Sequence, residues 1–198
     1  MANKGETVIV SIPRARGAFL EVFEPKQVQG QGDPSYSAAI IIEPDAPVVA
    51  ELDAAMLKTA VSKWGTNGKA ILAQLVKTGR VGFRKAAQCD ATGNPYMGFE
   101  DRYSISARAR ANQPPLVLER DKTPATSGSK NIYSGAWFNW RVGAWAQDNQ
   151  YGKRVNFQLL GLQFVRDDTP FSGGVRVTAD DFEDLADDED VDIESLVG

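Results

Sequence analysis

The sequence predicts a mainly β chain with some helix (β+α): a small antiparallel barrel with a helical insertion, followed by a disordered acidic tail. Three observations carry that expectation. Strand-like runs dominate both ends of the body, two helical stripes interrupt them between about residues 46 and 78, and charge is very unevenly distributed. The last nineteen residues, Asp180 to Gly198, hold ten acidic side chains and no Lys or Arg. The first 179 residues therefore carry all 22 basic side chains against 16 of the 26 acidic ones, a net of +6 beneath an overall charge of -4. Residues 1–179 are accordingly read as one folded domain and 180–198 as a tail without a core pattern.

Taken in order, Thr7 to Ile12, Gly17 to Phe23 and Tyr36 to Ile42 alternate as strands, and the Pro- and Gly-containing stretch from Glu24 to Pro34 reads as an exposed loop. Asp45 is placed to cap a helix entered at Pro47, with Val49, Leu52, Met56 and Ala60 on one stripe. Asn67 and Gly79 bracket a shorter helix bearing Ile71, Leu72, Leu75 and Val76. Strands are expected again at Arg80 to Lys85, Met97 to Arg110, Leu116 to Glu119, Ile132 to Ala146 and Lys153 to Arg166. Between the third and fourth of these, Asp121 to Lys130 has loop chemistry throughout and is expected to be mobile.

Side chains alternate across a strand, so each long strand sorts into a core row and an outer row. From Met97 to Arg110 the odd positions are mostly apolar, which turns Arg102, Ser104, Ser106, Arg108 and Arg110 outward. From Ile132 to Trp145 the even positions form the core row, leaving Tyr133, Trp137, Arg141 and Trp145 opposite, roughly 13 Å apart on a regular strand. Three large aromatics and an arginine on a wet face call for a ligand with π-faces and charge. Single-stranded nucleic acid supplies both, because bases stack on aromatic rings while phosphates pair with cations. Arg84, Lys85, Lys130, Lys153 and Arg154 flank these strands and complete a phosphate-tracking surface. The alternative is that the outer row lies beneath the helices.

Several chemistries find little support. The chain has no histidine, which removes Ser-His-Asp and Cys-His catalysis and zinc sites of Cys/His type. Cys89, the single cysteine, reads as a reduced spectator thiol. Glu24-Pro25-Lys26 and the pair Glu100-Asp101 lack a partner carboxylate at a persuasive spacing for a metal nuclease. Gly65 to Ala70 resembles a phosphate loop only superficially, since Lys63 stands where its first Gly is needed and Ala70 replaces Ser/Thr. No enzyme activity, cofactor, metal or small-molecule substrate is expected. The absence of a long apolar run or an apolar leader predicts no membrane association and a cytoplasmic location.

The wording of the C-terminal third carries a resemblance. Tyr133-Ser134-Gly135, Trp145 through Val155, and Leu160 to Asp167 ahead of the acidic tail resemble the OB-fold single-stranded-DNA-binding proteins of tailed phages, a family long catalogued only as a domain of unknown function. The chain is more loosely similar to the T7-type phage single-strand binder, whose tail ends in an aromatic residue where this one ends Ser195-Leu196-Val197-Gly198. The resemblance implies an OB-fold barrel that protects single strands during phage replication and recombination, in the host cytoplasm. An annealing recombination protein is the nearest alternative; a metal-dependent nuclease and a protein-interaction adaptor are more distant ones. On this reading the tail competes for the DNA groove, and Asp180, Asp181, Phe182, Leu185, Asp190, Ile193 and Leu196 offer acidic and apolar contacts to replication or recombination proteins.

Overall fold

A computed structural model describes residues 5–28 and 31–171. Its elements are β1 (Val8–Val28), β2 (Gln31–Ile42), α1 (Val48–Trp64), α2 (Gly68–Lys77), β3 (Phe83–Arg84), β4 (Tyr103–Arg110), β5 (Leu116–Leu118), β6 (Trp137–Asn149) and β7 (Gly152–Arg166). A single 3₁₀ turn, Gly65–Asn67, links the helices. All the tail residues named above lie outside the described residues.

Hydrogen-bonded neighbours run β3-β4-β2-β1-β6-β7-β5, and a parallel pairing of β4 with β7 closes five of the strands into a barrel. A β1-β2-β4 meander, β6 returning beside β1, and β7 bridging β6 to β4 make the topology that of an OB-fold. The expected helical insertion falls between β2 and β4 and packs its buried residues Leu52, Ala55, Met56 and Leu75 onto the barrel core. Thr59 is fully buried there, its hydroxyl donating to the carbonyls of Glu6 and Ala144 and so tying α1 to β6. The barrel interior is aromatic. Trp140 is 1% exposed, meets Phe138 edge-on at 5.2 Å and donates its indole N–H to the Ala15 carbonyl at 3.0 Å. Burial of each such ring contributes about 1.5–3 kcal/mol, provided its polar atom is matched as it is here.

Local details depart from the sequence expectation. The first two strands are one, because β1 continues through bulges at which Arg14 and Phe19 adopt φ of 47° and 51°. The stretch expected as a loop from Glu24 to Pro34 belongs instead to the β1–β2 hairpin, pairing as Lys26↔Ser35 and Val28↔Gln31. Met97 to Arg102 is a run of turns ahead of β4, Ile132 to Ala136 likewise precedes β6, and the expected strand from Arg80 to Lys85 is reduced to Phe83–Arg84 and an isolated parallel bridge of Val81 to Val155. At the entry to α1 the capping position is Pro47, with no side-chain cap, and not Asp45. Val76 is 52% exposed and contributes nothing to the α2 stripe. Rather than swinging freely, the loop from Asp121 to Lys130 folds back on β5: Ala125 N–H donates to Val117 O and Glu119 N–H to Thr123 O, both at 2.9 Å.

Candidate nucleic-acid interface

The alternation expected for β6 holds: Phe138, Trp140, Val142, Ala144 and Ala146 are buried, and Trp137, Asn139, Arg141 and Trp145 face out. The same holds for β4, where Ile105, Ala107 and Ala109 are buried and Ser106, Arg108 and Arg110 are exposed. Ser104 is the exception, buried with its hydroxyl donating to the Ala86 carbonyl at 3.3 Å. Register joins these outer rows across the barrel. Ser37 of β2 pairs with Arg108, Arg108 with Gln158 of β7, and Gln158 with Gly143 of β6. Parallel to that line lie Ser35↔Arg110 and Trp145↔Asn156.

Two adjoining hollows mark this surface, of about 700 and 410 Å³, sharing Arg108, Trp145 and Gln147. The first adds Arg110, Gln158 and Lys63; the second adds Arg84, Ser106, Arg154 and Asn156. Arg84, Arg108, Arg110 and Arg154 are exposed and make no ion pair among the described residues. Four uncompensated guanidinium groups around one half-buried indole form a site for a polyanion with planar groups. The acidic residue on its rim is Asp148. Its carboxylate accepts from Lys153 Nζ at 2.6 Å and from the Trp64 indole at 3.0 Å, and those bonds hold its pKa below the ordinary carboxylate value. The same contacts pin the β6–β7 hairpin to the end of α1, which steadies one wall of the groove.

The other residues expected at the interface are distributed elsewhere. Lys85 pairs with Asp53 of α1 at 2.6 Å, Arg102 with Glu43 at 2.7 Å and Lys153 with Asp148. Arg141 donates to the Ser11 hydroxyl beside an apolar cleft lined by Ile9, Leu116 and Leu160. Lys130 is exposed on the loop before β6. Tyr133 and Trp137 are partly buried, held by the chain's own segment after β7: the Tyr133 hydroxyl donates to Asp167 Oδ1 at 3.0 Å, the Trp137 indole to Asp168 Oδ2 at 2.6 Å, and the Arg166 guanidinium lies 4.3 Å over the Trp137 ring. The structure thus divides the aromatic row. Trp145 opens on the groove, while Tyr133 and Trp137 bind the chain's own segment after β7.

Gln147, Asn156 and Gln158 join the groove without having been singled out in the sequence. A signal existed, since polar Asn156 and Gln158 alternate with buried Val155, Phe157 and Leu159. Among the described residues no group of three or more His, Cys, Asp or Glu is placed to hold a metal, and no helix is long and apolar enough to cross a membrane.

Comparisons with known proteins agree with this architecture. A curated relative from Acyrthosiphon pisum secondary endosymbiont phage 1, described as putative protein p50, is 30% identical over 178 residues, spanning 89% of this chain and 94% of its own. The single-stranded DNA-binding protein from bacteriophage Enc34, solved in complex with ssDNA, superposes with a TM-score of 0.61 at 22% identity, over 83% of this chain and 89% of that one. The gp2.5 single-stranded DNA-binding protein encoded by bacteriophage T7 superposes with a TM-score of 0.56 at 13% identity, over 94% and 97%. These two solved structures share the fold. The family model described as Enterobacter phage Enc34, ssDNA-binding protein, matches residues 7–192, and the chain therefore belongs to that family.

Proposed function

We propose that this protein binds single-stranded DNA through the groove over β4, β6 and β7, without catalysis and with little sequence preference. The observation that carries the reading is the set of four unpaired arginines, Arg84, Arg108, Arg110 and Arg154, around the half-buried Trp145. Phosphates take the guanidinium groups and a base stacks on the indole. Such contacts read backbone charge and π-face, which every sequence offers. Arg141 and Lys130, outside the groove, add longer-range positive potential on this reading, whereas Lys85, Arg102 and Lys153 are offset by Asp53, Glu43 and Asp148. Residues 1–179 are the binding unit on this reading, and residues 180–198 are its acidic appendage, acting as competitor for the groove and as a contact for replication or recombination proteins in the host cytoplasm. Membership of a family described as ssDNA-binding supports the single-strand part of this reading.

The test is a titration of oligothymidylate at several salt concentrations, following tryptophan fluorescence. Quenching is expected with wild type and is lost in Trp145→Phe. Each phosphate contact contributes about 0.7 to the slope of log affinity against log salt for a single strand, so Arg108→Ala is expected to flatten the slope by about that amount. Trp145→Ala is expected to cost about 1–3 kcal/mol. Salt-independent binding without quenching rejects the groove; degradation of the labelled strand in magnesium or manganese rejects the non-catalytic part.

A further inference from the structure

The outer face of the barrel carries a second aromatic surface beyond the arginine groove. Phe19, 45% exposed, and Tyr96, 37% exposed, meet edge to face with ring centroids 5.0 Å apart. Beneath them Phe99, fully buried, stacks on Phe19 at 6.1 Å and packs with Ala39 and Ile41 of β2. Phe19 holds this place from a left-handed backbone, φ 51°, which bulky L side chains rarely adopt. The chain therefore keeps a ring at the surface through a conformation that its neighbours must enforce, the pattern found where strain serves a binding site.

Register locates this pair relative to the groove. Phe19 lies in β1 between the pairs Ala18↔Ala39 and Glu21↔Ser37, and Ser37 in turn pairs with Arg108. β1 borders β6 only through Val8 to Arg16, so the path from Trp145 over β7, β4 and β2 reaches Phe19 round the outside of the barrel, an arc of four strand spacings, about 19 Å at the backbone. Along that crossing Glu21 is matched by Lys26 at 2.6 Å, so its charge does not stand unpaired against a phosphate chain. We propose that Phe19 and Tyr96 form a second base-stacking station for single-stranded DNA, at the end of the Arg108–Arg110 row opposite Trp145. The inference rests on the groove being the DNA path, and it makes the binding surface two-ended: one aromatic anchor on each side of a phosphate-binding centre. Stacking at both ends remains tolerant of sequence because every base has a π-face.

The experiment uses the full chain and oligothymidylates carrying 5-iodouracil at single positions, photo-crosslinked and mapped by peptide mass spectrometry. Adducts are expected at Trp145 and, from positions several nucleotides away, at Phe19 or Tyr96. Adducts at Trp145 with none at Phe19 or Tyr96 overturn this inference and leave the groove reading standing; adducts at none of the three overturn both. As a second measurement, Phe19→Leu and Tyr96→Leu keep apolar bulk while removing the π-face. Each is expected to weaken binding about tenfold, the size of one base stack, on oligomers long enough to span both anchors. Salt slope and affinity for short oligomers that reach only Trp145 are expected to stay unchanged. Unaltered affinity of Tyr96→Leu for the long oligomers overturns the inference even where Phe19→Leu does not fold.

Discussion

Asp168 joins more of the molecule than any other single acidic side chain described above. Its carboxylate accepts from the Trp137 indole, faces Arg16 at 3.6 Å and Arg166 at 3.9 Å, and accepts from the Thr169 backbone N–H at 2.7 Å. The indole bond foremost, then the backbone bond and the two arginines, hold its pKa below the ordinary value of 3.8. A carboxyl whose folded pKa is depressed adds stability above its unfolded pKa and loses it as pH falls through the folded one. Asp168→Asn is therefore expected to lower the thermal midpoint at neutral pH, and the gap from wild type is expected to close as pH is taken below 3.8; a gap constant with pH would show that charge is not what the carboxylate supplies. Trp137 also marks what was legible at this scale. Period-two alternation turned Trp137 outward, whereas Tyr133 lies in the turns before β6, where that period does not apply, and packs against the core; their partners Asp167 and Asp168 lie more than thirty positions along the chain, and no local pattern announces that pairing.

Strands and turns show the same division. Alternation gave β4 and β6 their faces, and Asn67 and Gly79 correctly bracketed α2, with Gly79 at φ 66° just beyond its end. Hairpins and bulges were less legible. The Gly- and Gln-rich stretch between Glu24 and Pro34 has loop composition, yet most of it is held in strand by cross-strand pairing between β1 and β2, with partners up to nine positions apart. After β7 the segment from Asp167 to Phe171 crosses the start of β6, with Phe171 N–H donating to Ser134 O at 3.0 Å. Gly135 permits that crossing: its φ is 113°, and an added Cβ would stand 2.4 Å from the Thr169 carbonyl oxygen. Gly135→Ala is expected to cost about 2 kcal/mol or more, through backbone strain and steric displacement together. Chemical denaturation checks this, and a loss confined to a few tenths of that value would mean the crossing segment yields freely.

For the whole molecule, a body of net charge +6 is joined to a tail of ten acidic residues, and the fold determines where they are joined. The described chain ends at Phe171, under the Arg16 guanidinium and beside Gly135, near the Trp137 end of β6; the groove lies at the Trp145 end, about 27 Å away along a regular strand. Eight residues separate Phe171 from Asp180, and an extended chain over those nine steps spans at most about 32 Å. The acidic segment therefore begins within reach of the groove. Ending the chain at Ala179 is expected to tighten single-stranded DNA binding, most at low salt where screening is weakest; equal affinities for the two chains at low salt would reject competition by the tail. By itself the sequence pointed to the proposed class of ligand and determined the barrel-with-helices architecture and the outward rows of β4 and β6, because composition, charge segregation and periodicity are local or summed properties of the chain. Only the tertiary structure decided which outward residues meet. Closure of β4 onto β7 gathers Arg84, Arg108, Arg110, Trp145 and Arg154 into one groove. Ion pairing with Asp53 and Glu43 takes Lys85 and Arg102 aside, and the segment after β7 engages Tyr133 and Trp137 by hydrogen bonds. The physical reason is that pairing across a barrel and between charges depends on distances in space, which the spacing of residues along the chain does not contain.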